Sequence, residues 1–232
     1  MPYVDGFFDR DADIIKVVER QDGKRTYREY QAKYIFYHED PKGKYKSVYG
    51  DPLIRTVCKN TKEFRKELAI NKHKKLYESD VNPIFQCLAE HYLNQDAPKL
   101  NVCFFDIETD FDPERGFADP SDPFMAITAI TVHLQWIDAL ITLAMPPKGL
   151  SMEDADRICK ERWGDQVILF TNDNDNTGEK EMLKTFLDLI DDADIISGWN
   201  SEGYDVPYTV NRVSRLLSKN DTRRFCLWDQ LP

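Results

Sequence analysis

The sequence predicts an α/β protein in which a smaller α+β domain precedes a domain built around a mixed sheet. The first half alternates polar and apolar residues at period two, as half-buried strands do. The second half interleaves apolar runs with segments of helical period. The charge also divides, because residues 1–100 hold 19 Lys and Arg against 16 Asp and Glu, whereas residues 101–232 hold 12 against 25.

Length and composition restrict the classes of protein to which this chain can belong. A chain of 232 residues with 41% hydrophobic residues can build an ordinary core. No apolar run approaches the roughly 20 residues needed to cross a bilayer, and the start MPYVDGFFDRDAD lacks the pattern of a signal peptide. The five cysteines stand singly, with no CxxC pair, so we expect reduced thiols rather than disulfides or a zinc site. These features predict a cytoplasmic protein without a membrane segment.

Strands are predicted first along the chain. The runs DIIKVVER, REYQAKYIFYHE, KYKSVYG and LIRTVC are separated by turn residues at positions 21–23, 41–43 and 50–52. This pattern predicts an antiparallel sheet.

A basic helix follows these strands. Thr61 is placed to cap it, and Phe64, Leu68 and Tyr77 recur near period 3.6. Positions 59–75 hold seven Lys or Arg, which indicates either a solvated helix face or a nucleic-acid contact surface. A second short helix reaches about position 93, and the turn residues at 95–98 place a domain boundary near Pro98. The predicted domains are therefore residues 1–98 and 99–232.

The second domain begins with LNVCFF, a run typical of a strand covered on both faces. Two further strands, ITAITVHL and ALITLAM, follow. Helices are then predicted at SMEDADRICKERW, GEKEMLKTFLDLIDDA and DVPYTVNRVSRLL, alternating with strands at QVILFTN and DIISGWN. Three adjacent strands and then this alternation are compatible with a ribonuclease H-like arrangement.

Two acidic residues follow the first apolar run, in the string FDIET. Side chains alternate along a strand, so Asp106 and Glu108 would project from one face with Cα atoms ~6.6 Å apart. Two carboxylates beside an apolar strand are costly unless a proton, a basic partner or a cation offsets their charge, and hard oxygen ligands suit Mg²⁺ or Mn²⁺. The alternative is that the strand simply emerges into solvent there.

A third acid follows a second apolar strand, in SGWNSEGYDVPY. Asp205 could complete a metal cluster with the other two. It also stands just before Pro207, at the start of a predicted helix, where it would serve as an N-cap. Both interpretations stay open at this point.

The pair of motifs resembles family B DNA polymerases. FDIET and, about ninety residues later, Asn-x-x-x-Tyr-Asp match the first two exonuclease motifs of that family. The N-terminal hundred residues, Gly116-Phe117 and the tail NRVSRLLSKNDTRRF are similar to T-even-like phage polymerases. The resemblance thus covers essentially the whole chain.

The resemblance implies a 3′-to-5′ proofreading exonuclease acting on primer-template DNA in the cytoplasm of an infected bacterium. Asp106, Glu108 and Asp205 would bind two Mg²⁺ or Mn²⁺ ions, one activating a water and both stabilising charge on the attacking and leaving oxygens. A mismatched 3′ end would enter more readily because it unpairs at lower cost. Four residues would contact the substrate, with Phe117 stacking on the frayed end: Asn200, Phe117, Tyr204 and Thr109.

Phe117 could instead fold back on the core, and Phe111 and Phe124 are alternatives for its role. The family has a third motif, Tyr-x-x-x-Asp, but here Tyr208 is followed at that spacing by Arg212. Polymerase motifs are missing too. We therefore expect a truncated or naturally split product, partnered by the remainder of the polymerase, with weak metal binding and little nuclease activity alone.

A different class of function is a regulatory RNA- or DNA-binding module formed by the basic N-terminal region. The resemblance permits this, since a related phage polymerase is thought to bind messenger RNA. A free-standing exonuclease is disfavoured because it would need its own complete acidic set.

Overall fold

The computed structural model describes residues 2–232. The chain divides into two compact units, Met1–Lys99 and Leu100–Pro232. The first holds β1 (Tyr3–Asp9), β2 (Ile14–Gln21), β3 (Lys24–Gln31), β4 (Tyr34–Glu39), β5 (Tyr45–Lys46), β6 (Pro52–Cys58), α1 (Thr61–Asn71), β7 (Leu76–Tyr77) and α2 (Pro83–His91).

Antiparallel pairing builds two sheets in the first unit. One has the order β1-β2-β3, and the other has the order β5-β6-β4-β7. Ile15, Val17 and Phe36 are fully buried between them and the apolar sides of α1 and α2. Burying such side chains stabilises the fold by about 1.5–3 kcal/mol each.

Three predictions for this unit were wrong in detail. The run REYQAKYIFYHE is two strands, because the Ala32 N–H donates to the Asp13 carbonyl where the chain leaves one sheet for the other. KYKSVYG pairs over only two residues, since the Ser47 hydroxyl accepts from the backbone N–H groups of Tyr49 and Asp51 and closes a turn. Tyr77 lies in β7 and not on the preceding helix.

The cap of α1 also differs from the prediction. Asn60 is the cap, and its side chain accepts from the Glu63 N–H at 2.8 Å. The Glu63 carboxylate in turn accepts from the Lys59 N–H at 2.8 Å, so two backbone donors at the helix start are satisfied reciprocally. The Thr61 hydroxyl instead donates to the Asp13 carboxylate.

The second unit contains the remaining strands and helices, and every one predicted there is present. Three short 3-10 turns accompany them, at Gly164–Gln166, Asp221–Phe225 and Leu227–Asp229. The elements are β8 (Val102–Thr109), β9 (Ile127–Leu134), β10 (Ala139–Ala144), α3 (Met152–Trp163), β11 (Val167–Leu169), α4 (Thr177–Ile190), β12 (Ile195–Ser197) and α5 (Asp205–Leu216).

These five strands form one mixed sheet in the order β11-β10-β9-β8-β12. β8, β9 and β10 are antiparallel neighbours, whereas β11 pairs parallel with β10 and β12 pairs parallel with β8. The core lies on one face, where Phe105 and Ile107 pack with Phe186 of α4 and Tyr208 of α5. The fold is therefore mixed α/β.

A buried ion pair joins the two helices that pack on this sheet. The Arg212 guanidinium donates twice to the Glu179 carboxylate, each time at 2.6 Å, and once to the Pro123 carbonyl. Glu179 also accepts from the Ile127 N–H, the first in β9. Arg212 lies four positions after Tyr208, and its charge is satisfied inside the core.

The prediction for the first strand of this unit needs correction. LNVCFF does not end before the acids, and it is not covered on both faces. The strand continues to Thr109, and its side chains alternate strictly, with Cys103, Phe105 and Ile107 buried while Phe104 is 42% exposed. The apolar run predicted a strand covered on both faces because Phe104 is apolar, yet this residue lies on the open face.

All five cysteines are free thiols in the described residues. No disulfide joins them, and burial raises the pKa of the Cys103 thiol to about 11. Across residues 2–232, none of the helices is both long and apolar enough to span a bilayer.

Candidate active site

The open face of β8 carries the two acids of the first motif. Asp106 and Glu108 project from the side opposite Phe105 and Ile107, and both are exposed. Across the ladder, Asp106 lies opposite Thr131 of β9, and Glu108 lies opposite Ala129. Their shared face follows from the period-two alternation of the strand.

Asp205 reaches this strand from α5. It is the first residue of the helix and is buried, with 6% of its surface exposed. Its Oδ1 accepts a hydrogen bond from the Ile107 N–H at 3.1 Å. The pairing of β12 with β8 ends at Ser197 and Phe104, so the Asp205 carboxylate takes a ladder position that the neighbouring strand leaves open.

The structure decides one of the two interpretations of Asp205, the N-cap. The residue before it, Tyr204, occupies the N-cap position, and no side chain caps the helix. The carboxylate is used on β8 instead, between the two acids of the first motif. The expectation of an N-cap was wrong because the strand offers an unpaired N–H within reach.

Electrostatics at Asp205 are unfavourable to its charge. Burial raises the pKa of its carboxyl group, and the negative charge of Asp106 raises it further, while the hydrogen bond from Ile107 opposes both. The two carboxylates are therefore close enough to repel. Hard oxygen donors that carry uncompensated charge fit a divalent cation such as Mg²⁺.

The described residues nevertheless do not form a finished cation site. Among positions 2–232, no three His, Cys, Asp or Glu side chains lie at ligand spacing. Asp106 and Asp205 supply two carboxylates that repel each other, and Glu108 lies on the same face of β8 as Asp106. The chemistry of the donor set fits a cation, and its geometry is incomplete.

A turn connects β12 to α5, and Gly198 and Asn200 shape it. A Cβ on Gly198 would lie 2.4 Å from the Phe105 carbonyl oxygen, so only glycine fits there. Asn200 adopts a left-handed backbone with φ +51°, and its carbonyl accepts from the Gly203 N–H at 3.0 Å. The side chain of Asn200 lies against Gly203.

The other predicted substrate residues lie near the same edge. Phe117 is 71% exposed and its ring meets Phe111 edge to face at 5.0 Å, so it does not fold back on the core. The Tyr204 hydroxyl reaches the carbonyl of Ala118, the next residue in that loop, at 3.4 Å. Thr109 ends β8 after a register shift.

Phe124 differs from the other aromatic candidates. It packs against the core, with the Arg115 guanidinium 3.5 Å from its ring centroid. Its ring is therefore less accessible to a base than that of Phe117.

Sequence reasoning missed a groove of about 520 Å³ beside Asp106. Its walls include Phe104 and His133, whose rings stack at 6.3 Å, and Trp199, which is 92% exposed. Asp106 is the one Asp, Glu, Lys or Arg that lines it. The available signal in the sequence was the position of Trp199, directly before Asn200 in the second motif.

Comparison with known proteins decides the family. The model for the DNA polymerase family B exonuclease domain matches residues 54–230. The chain belongs to this family.

Two curated relatives of this exonuclease-family chain are DNA-directed DNA polymerases, from Escherichia phage RB69 and Enterobacteria phage T4. Each is 29% identical to it. The matches cover 87% and 90% of this chain, but 24% and 25% of the two polymerases. The exonuclease-family chain thus spans about a quarter of their length, and the predicted resemblance to T-even-like phage polymerases is confirmed.

Proposed function

We propose that this chain is the amino-terminal and proofreading 3′-to-5′ exonuclease portion of a replicative DNA polymerase, acting on the single-stranded 3′ end of primer-template DNA in the cytoplasm of an infected bacterium. The observation that carries the proposal is the hydrogen bond from Ile107 to Asp205, because it brings the acid of the second motif to the strand that holds the first. The antiparallel β8-β9-β10 sheet with parallel outer strands supports a ribonuclease H-like arrangement.

The residues that would hold divalent cations are Asp106, Glu108 and Asp205. Bound Mg²⁺ or Mn²⁺ would supply stabilisation of the charge that develops when a phosphodiester is hydrolysed. The chain itself positions the acids, because β8 fixes the spacing of Asp106 and Glu108 and the Ile107 N–H fixes Asp205. The repulsion between Asp106 and Asp205 favours any ligand of positive charge.

Substrate selection would rest on the loop around Phe117. An exposed aromatic ring stacks on any base, so it can hold an unpaired end without reading its sequence. The hydrogen bond from Tyr204 to the Ala118 carbonyl ties this loop to the residue next to Asp205. Tyr204 is thus a positioning residue, and the groove lined by Phe104, His133 and Trp199 would accept the terminal base.

Activity of the chain alone is expected to be low. The described side chains include no complete cation site, and no Tyr-x-x-x-Asp occurs in this sequence after Asp205. Asp106 and Asp205 would bind a cation weakly, with little help from a third fixed ligand. A regulatory role in binding messenger RNA gains no support from the relatives, which are named for DNA synthesis.

Hydrolysis at high protein concentration tests this function. A 5′-labelled oligodeoxynucleotide is incubated with an excess of the chain and Mn²⁺, and shortening from the 3′ end is followed on a gel. We expect slow shortening by the unmodified chain and none above background by Asp106→Asn.

The matched control is Asp165→Asn, which makes the same change at an exposed side chain in the 3-10 turn Gly164–Gln166, between α3 and β11. This variant should shorten the oligonucleotide as the unmodified chain does. Equal rates for all three proteins, or no shortening by any of them even at saturating Mn²⁺, would overturn the proposal.

A further inference from the structure

We propose that the first unit carries its own binding groove for single-stranded DNA, formed by tyrosines of the β5-β6-β4-β7 sheet. The groove lies in the first unit, whereas the acids of β8 belong to the second. That the nucleic acid is DNA rests on the proposed function, whereas the groove itself rests on the contacts that follow.

The groove has a volume of about 400 Å³, within the range of small-molecule sites. Three tyrosines converge on it because of strand register, since Tyr37 lies opposite Tyr77 and Tyr45 lies opposite Leu53. The rings of Tyr37 and Tyr45 meet at 5.4 Å and 70°, which makes a corner with two aromatic walls. The lining residues are Tyr37, Tyr45, Lys46, Ser47, Val48, Leu53, Tyr77 and Glu78.

Core packing does not account for these rings. Tyr37, Tyr45 and Tyr77 are not part of the buried cluster of the first unit, which uses other aromatic residues such as Phe36. Tyr45 is 46% exposed. The neighbouring Val48 and Tyr49 are almost fully exposed, in a turn that Ser47 closes. Aromatic rings at an open surface provide the stacking platform that single-stranded nucleic acids use.

Positive charge surrounds the groove. The Lys75 ammonium lies 5.0 Å from the Tyr77 ring centroid and 5.4 Å from that of Tyr49. Lys42, Lys44 and Lys46 precede the turn, with no acidic residue between Pro41 and Gly50. None of these three lysines enters an ion pair within the described part of the chain.

Four acids stand near this groove, and three of them already have partners. Asp40 pairs with Lys74 at 4.0 Å, and Asp51 accepts from the Ser47 hydroxyl at 3.1 Å. Glu39 accepts a hydrogen bond from the Tyr77 hydroxyl at 2.8 Å and forms a 3.6 Å ion pair with Lys75. Glu78 remains as one negative charge among the lining residues. Once Lys74 and Lys75 are paired with Asp40 and Glu39, three lysines remain against two acids, Asp51 and Glu78, and this small positive excess attracts a phosphate backbone.

The groove beside Asp106 has the opposite balance of charge, because its one charged lining residue is an acid. It has aromatic walls and no lysine or arginine, so a strand would need cations to approach it. The tyrosine groove needs no cations for a DNA strand to approach it. A strand of DNA should consequently bind the first unit without divalent metal, with bases on the tyrosines and phosphates near Lys46 and Lys75.

The test measures binding of fluorescein-labelled dT12 by anisotropy, in EDTA so that hydrolysis does not interfere. The double variant Tyr45→Ala/Lys46→Ala should bind at least tenfold more weakly than the unmodified chain. The matched control is Tyr27→Ala/Lys24→Ala, which removes the same two side chains from an exposed position on β3. It should bind dT12 as the unmodified chain does.

A second variant keeps every ring in place and guards against a folding defect. Lys42→Ala/Lys44→Ala should weaken binding and flatten the dependence of log affinity on log salt by about 1.4, since each phosphate contact on a single strand contributes about 0.7. Ultraviolet cross-linking of 5-iodouracil in the oligonucleotide should label Tyr45.

Three results would overturn the proposal: unchanged affinity of Tyr45→Ala/Lys46→Ala, an equal loss in the control, or tenfold tighter binding of rU12 than of dT12. The binding assay contains no metal, so a result that overturns the groove says nothing about hydrolysis. The hydrolysis experiment tests the exonuclease proposal separately. Loss of hydrolysis in Asp106→Asn with dT12 binding intact would show two independent sites.

Discussion

The Asp205 carboxylate accepts the Ile107 amide hydrogen at 3.1 Å, across a sequence separation of 98 residues. This bond fastens the start of α5 to β8 at the one residue that lies between Asp106 and Glu108. A side chain thereby extends the hydrogen bonding of the sheet where β12 has ended. This bond should therefore contribute to the free energy of unfolding.

Asp205→Ala should lower the free energy of unfolding by about 1–3 kcal/mol, because it leaves the buried Ile107 N–H without an acceptor. Asp205→Asn keeps an oxygen that can accept the same bond and removes the repelled charge. Its stability at pH 7 should equal or exceed that of the unmodified chain. Urea unfolding followed by tryptophan fluorescence checks both, and equal losses in the two variants would contradict this role.

The pH dependence of stability follows from the same carboxyl group. Its pKa is raised in the folded chain, first by burial. A raised pKa contributes stability that is fully present below the ordinary value near 3.9 and is lost as pH rises through the folded value. The stability advantage of Asp205→Asn over the unmodified chain should therefore be larger at pH 7 than at pH 4.5. Urea titrations at both pH values measure it, and the reverse trend would contradict the direction of the shift.

Gly198→Ala should destabilise the second unit by about 2 kcal/mol or more, because its Cβ would lie 2.4 Å from a backbone carbonyl that cannot rotate away. Gly203→Ala is the matched control in the same turn. Its Cβ would meet only the side chain of Asn200, which can move. Thermal unfolding should separate the two variants, and a loss in Gly203→Ala as large as in Gly198→Ala would refute the close approach.

Arg212→Met should cost about 3–5 kcal/mol, since it leaves Glu179 charged and buried without its partner. Arg215→Met is one turn further along and serves as the control. Arg215 pairs with Asp122 at the surface, where such pairs contribute about 0–1 kcal/mol. Chemical unfolding of both variants tests the contrast. A small effect at Arg212 would mean that the core relaxes around an unpaired Glu179.

Much of the second unit could be predicted because its strands and helices differ in period. ITAITVHL coincides with β9, and the three predicted helices match α3, α4 and α5. The open face of β8 was not predicted, since Phe104 is apolar and a run of apolar residues does not say which side faces solvent. β1 escaped prediction as well, because its alternation is broken by Gly6.

The sequence predicted the part of the site that depends on one strand, but not the contacts that depend on tertiary structure. Alternation along one strand places Asp106 beside Glu108 without further information. The contact of Asp205 with Ile107 depends on where β12 ends and how the turn around Gly198 folds, which are tertiary facts. The groove in the first unit depends on the pairing of β4 with β7, between strands that local patterns do not connect.

Binding of Mn²⁺ tests most directly whether Asp106 and Asp205 share a cation. Titration of Mn²⁺ into the chain, with free ion followed by electron paramagnetic resonance, gives stoichiometry and affinity in one experiment. We predict weak binding to the unmodified chain and to Asp165→Asn, and at least tenfold weaker binding to Asp106→Asn and to Asp205→Asn. Equal binding by all four proteins would show that these carboxylates do not hold a common ion, and would contradict the account.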